Sequence, residues 1–95
     1  MDPVLNHHLY EYEKGLRRLI LHTALKSEAQ AIAQRLARRG VACEVVPFGA
    51  TRANVFFGDK TCVEVVRSFG KASLRDYTPE EDFILGIMLG YCRQK

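Results

Sequence analysis

Tryptophan is absent from these 95 residues, and cysteine and proline occur only three times each. No apolar run approaches the roughly 20 residues that a membrane-spanning helix needs. The cysteines (Cys43, Cys62 and Cys92) are odd in number and form no C-x-x-C. That argues against a disulfide framework or a zinc ribbon, and three small buried apolar side chains are expected instead. No glycine-rich phosphate loop or dinucleotide fingerprint is present. The first residues, MDPVLNHHLYEYEKG, lack the basic and apolar regions of a secretory signal, so a cytoplasmic protein is expected. Charge of one sign is also scarce. Fourteen basic against 11 acidic residues give a net +3, which permits an acidic partner but is thin for a nucleic-acid binder.

What is there is ordinary globular composition, 47% apolar and 26% charged, enough for a single domain over residues 1–95. Leu5, His8, Leu9 and Tyr12 fall on one helical face, and Gly15 stops that short helix. Leu16 to Thr23 reads as a first strand. Ser27 with Gln30 fits a capping box, and opens a helix whose stripe is Ala29, Ile32, Ala33 and Leu36, closed by Gly40. Val41 to Phe48 is a second strand with Pro47 at an edge or at the strand's close. A tight turn at Gly49 to Arg52 leads to a third strand, Ala53 to Phe57, so the pair forms an antiparallel hairpin. Asp59 is placed to cap the next helix, which packs through Cys62, Val65, Val66 and Phe69, with Lys60 and Glu64 paired on its outer side. Thr78, Pro79 and Glu81 give the last helix a full start signal.

The implied fold class is α+β: a three-stranded, mainly antiparallel sheet in order 1-3-2, covered by helices. It is a split β-α-β arrangement, part of a ferredoxin-like one. The first strand would lie on an open edge, to be paired with a second copy or covered by the N-terminal segment. The stretch FILGIMLGYC in the last helix is apolar nearly all round, more than one small sheet can cover. Ile84, Gly86, Ile87, Met88, Gly90 and Tyr91 are therefore candidates for a homodimer interface, with the glycines allowing close backbone approach.

Three segments together, HHLYEYEKGLRRLILHT, NVFFGDKTCVEVVRSFG and TPEEDFILGIMLGY, resemble a small bacterial family known as domain of unknown function 2023. The likeness covers nearly the whole chain. It implies a compact α+β homodimer of three strands and several helices, without an assigned reaction or catalytic residues. It also implies a flavodoxin as a candidate acidic partner.

Each candidate for chemistry has a plain structural alternative. His7, His8 and His22 could hold a metal, haem or flavin, but neighbouring helical side chains point about 100° apart, and no metal-ligand spacing is present. Two surface histidines and a hydrogen-bonded strand histidine are the plainer expectation. Cys62 in a first helical turn could be a thiolate, yet it lies on the apolar stripe. Gly58-Asp59-Lys60-Thr61 could bind an anion, yet Asp59 already supplies the negative charge. Glu80, Glu81 and Asp82 suit the positive end of a helix dipole. Arg38, Arg39 and Arg52 are the best candidates for a basic partner patch, with RNA binding a weak third option for want of interleaved aromatics. No cofactor is expected and no constellation names a reaction. The sequence thus points to a dimeric accessory module that binds another protein, with a histidine-based metal, haem or flavin role as the alternative.

Overall fold

A computed structural model describes residues 3–70 and 74–90. Its elements run α1 (Pro3–Glu13), β1 (Leu19–Leu25), α2 (Lys26–Arg38), β2 (Ala42–Phe48), β3 (Arg52–Gly58), α3 (Lys60–Ser68), a 3-10 turn (Leu74–Asp76) and α4 (Pro79–Leu89). The sheet order is β1-β3-β2, with β3 antiparallel to both neighbours. The fold is therefore α+β, with the expected strand order. Because β3 sits in the middle, β2 as well as β1 is an edge strand, and Pro47, which lacks a ladder donor, lies on one of those edges.

Alternation along the strands divides the core in two. Ile20, Ala24, Ala53, Val55 and Phe57 point to one face, where Leu5 and Leu9 of α1 and Ala29, Ile32 and Leu36 of α2 cover them. Leu19, Val46 and Phe56 point to the other, beneath Val63 and Val66 of α3 and Leu85 of α4. Val63, absent from the expected stripe, is its most buried member. Helices thus flank the sheet on both sides, and every residue of β3 after Arg52 is buried.

Three local expectations are corrected. β1 begins at Leu19 rather than Leu16, because the turn after α1 still occupies Leu16, whose amide bonds the Glu11 carbonyl. α2 opens at Lys26 with no side-chain cap. The Lys26 amide instead bonds the Thr51 carbonyl of the β2–β3 turn at 2.8 Å, so Ser27 lies inside the first turn and forms no capping box. α4 starts as expected. The Glu81 amide donates to the Thr78 hydroxyl (3.1 Å), and the Thr78 amide donates to the Glu81 carboxylate (2.8 Å). It ends one residue before Gly90, so that glycine is the C-cap rather than an interior position. Tyr91 and Cys92 lie outside the described residues. Among those described, no helix is long and apolar enough to cross a membrane.

Candidate functional site

Three places on this scaffold bring chemistry-bearing side chains together. The first lies where α1 packs over β1. His22 is on the β1 face covered by α1, 3% exposed, and its Nδ1 is 3.3 Å from Nδ1 of His8. The rings meet edge to face, with centroids 5.4 Å apart and planes at 80°. His8 is therefore half-buried and not one of two surface histidines, while His7 turns outward, as the 100° offset between neighbouring helical side chains requires. Burial holds the His8 imidazole below its usual pKa of 6.5. His22 pushes the same way, Glu11 opposes, and Arg17 and His7 add small depressions.

Glu11 extends this group. It is 5% exposed, with Oε1 3.7 Å from His7 Nε2 and 3.8 Å from Arg17 Nη1. Arg17 Nη2 donates to the Leu89 carbonyl at 2.8 Å, placing a cation at the negative end of α4. Arg17 thereby ties the polar face of α1 to the end of α4. Sequence reasoning missed Glu11, although its spacing carried a signal: it is i+3 from His8 and i+4 from His7. Among the described residues no group of three or more His, Cys, Asp or Glu side chains is arranged to hold a metal, so the histidines offer a pair rather than a ligand shell.

The second place is an open cleft of about 660 Å³ at the Gly58 end of the sheet, lined in part by Tyr12, Cys43, Asp59, Lys60, Glu64 and Arg67. Asp59 precedes α3 as expected but makes no side-chain cap bond. Burial and then Asp59 push the Tyr12 phenol up. Burial and then Glu44 push the Cys43 thiol up, against a smaller opposite pull from Arg67. A thiol so disposed is a weak nucleophile. Arg67 bridges the Glu44 carboxylate and the Cys43 carbonyl, each at 3.3 Å, and so covers part of the β2 edge. Cys62 packs half-buried against the α3–α4 core, as its place on the apolar stripe leads one to expect of an inert thiol. The cleft's two acids and two bases balance, and neither sign of ligand is favoured.

The third place is the outer face of α4. Phe83 is 70% exposed, Ile87 64% and Ile84 41%, at helical neighbour spacing. A Cβ built on Gly86 would meet nothing within 4 Å, so Gly86 lies on the same open side. Met88 instead packs half-buried against the core. A shallow hollow of about 360 Å³ runs beside Pro79, Glu80, Phe83 and Ile84. Phe83 was not among the expected interface residues, yet it is the most exposed apolar side chain of the group.

The three arginines proposed for one basic patch are not brought together. Arg38 and Arg39 lie at the C-terminal end of α2, and Arg39 is engaged with Glu13 at 2.7 Å. Arg52 pairs in the sheet with Leu25, the residue before α2. It therefore sits near the opposite end of a 13-residue helix, about 20 Å away.

No curated protein matches the chain. A family described as "Protein of unknown function (DUF2023)" matches residues 3–95, and the chain belongs to that family.

Proposed function

We propose that the protein is an accessory binding module that assembles with a second copy of itself through the outer face of α4. The observation that carries this reading is the exposure of Phe83, Ile84 and Ile87 on one side of a helix with no charged residue after Asp82. Each such side chain contributes about 1.5–3 kcal/mol when it is fully buried. A two-fold axis sets the same patch against itself, and with no charge on this stripe nothing there repels its own copy. The open Gly86 supports close approach of the two backbones. Three cysteines outside any disulfide pattern suit a reducing cytoplasm.

The test is sedimentation velocity on wild-type protein and on Phe83→Glu and Ile87→Glu. The expected result is a wild-type dimer and monomeric variants of unchanged helical content. A wild-type monomer at tens of micromolar, or a dimer that both charges leave intact, would remove α4 as the contact.

A further inference from the structure

We propose that the His8–His22 pair is a proton-operated latch that holds α1 against β1 at neutral pH and releases it on mild acidification. The contact is built from two imidazole nitrogens, 3.3 Å apart. One ring must donate and the other accept, so the contact needs at least one neutral ring. A first proton is tolerated, since an imidazolium can donate to its neutral partner. A second proton sets two cations side by side on a strand face that is shut off from water, and low dielectric makes that repulsion strong.

The surroundings set where this happens. From α1, Glu11 favours a charged His8 and His7 opposes it; from the turn before β1, Arg17 opposes it; from β1, His22 opposes it. Burial opposes the charge most, and together with His22, Arg17 and His7 it outweighs Glu11, so the folded protein takes up the His8 proton less readily than the unfolded chain. Below pH 6.5 the unfolded chain therefore binds a proton that the folded one resists, and stability falls as pH drops through that window. The released part is defined by the same contacts. Freeing α1 withdraws Leu5 and Leu9 from the core, and takes Glu11 away from the Arg17 that also holds the Leu89 carbonyl. The β2–β3 hairpin shares none of the titrating groups. Opening should therefore be local to α1, a low-stability unit of the kind that opens without global unfolding, with the β1–β3 ladder left in place.

Hydrogen exchange on the full chain at pH 7 and pH 5, corrected for intrinsic rates, tests this. The expected result is that amides of α1 lose about tenfold or more of their protection, one titrating proton over a pH unit, while amides of β1, β2 and β3, which bond one another in the sheet, lose far less. His7→Gln should keep the pH dependence, since His7 is the weakest influence on His8, and His8→Leu should remove it while keeping apolar packing. Losses in the strands as large as those in α1, or a His8→Leu protein as pH-sensitive as wild type, would overturn the latch. If His8→Leu does not fold, the imidazole proton signals of the wild-type protein decide. Coupled, two-step titration of His8 and His22 supports the latch, and independent titration of each overturns it.

Discussion

Gly58 ends β3 at φ 148°, a conformation that side-chain-bearing residues rarely adopt. A Cβ there would collide with the Arg18 carbonyl and stand 3.1 Å from the Leu19 Cα. The chain before β1 lies against this glycine, and the Asp59 amide bonds the Arg18 carbonyl at 2.8 Å. Gly58→Ala should therefore cost about 1–3 kcal/mol, the usual size of backbone strain at one residue, read as a lower urea midpoint with an unchanged slope. From the sequence, Gly58 is visible as the end of a strand, but the carbonyl it accommodates is 40 residues earlier in the chain. The same limit hid the His8–His22 pair. Each histidine could be placed on a face from its own periodicity, but their meeting depends on how α1 lies across β1, which no local pattern encodes. Charge alone groups Arg52 with Arg38 and Arg39. The strand order, already inferable, puts it at the other end of α2.

At the level of the element, α4 and α2 show when a helix start can be read. The α4 start uses only residues within one turn, Thr78 and Glu81, so spacing reveals it. Thr78→Ala should cost about 1 kcal/mol, and thermal unfolding followed by circular dichroism would show it as a lowered midpoint. The α2 start takes its acceptor from Thr51, 25 residues further on, which makes Ser27 a misleading signal. Since Ser27 holds no cap, Ser27→Ala should change stability by less than about 0.5 kcal/mol, as for an ordinary surface substitution. A loss near that of Thr78→Ala would contradict the assigned helix start. The apolar outer face of α4 was legible because a helix lacking a polar side cannot be wholly covered by one small sheet. Which of its residues turn outward was not, since that depends on Leu85 being the one that packs inward.

Over the whole molecule, the sheet separates two cores yet joins them, because consecutive residues serve opposite sides. Leu19 belongs to one core and Ile20 to the other, and neither is exposed. Ile20→Val should cost about 0.5–1.5 kcal/mol and Leu19→Ala about 2–5 kcal/mol. At pH 7, above the window in which the latch would act, both should lower one common transition, since every path between the cores runs through the same backbone. Amide signals from α2 and α3 followed through urea would report this, and separate midpoints would mean that the layers unfold independently.

The central place of β3 also bears on synthesis. β1 and β2 are separated by the width of a strand and share no ladder, so a nascent chain that has delivered only these two has no sheet at all. The hairpin closes over the short turn between Phe48 and Arg52, a local event, whereas pairing of β1 with β3 joins residues about 30 apart in sequence, and loop closure slows the latter. A ribosome must therefore release residues up to Gly58 before the sheet can close, and the Leu19 side of the first strand must wait uncovered longer still, because α3 and α4, which cover it, follow β3 in the chain.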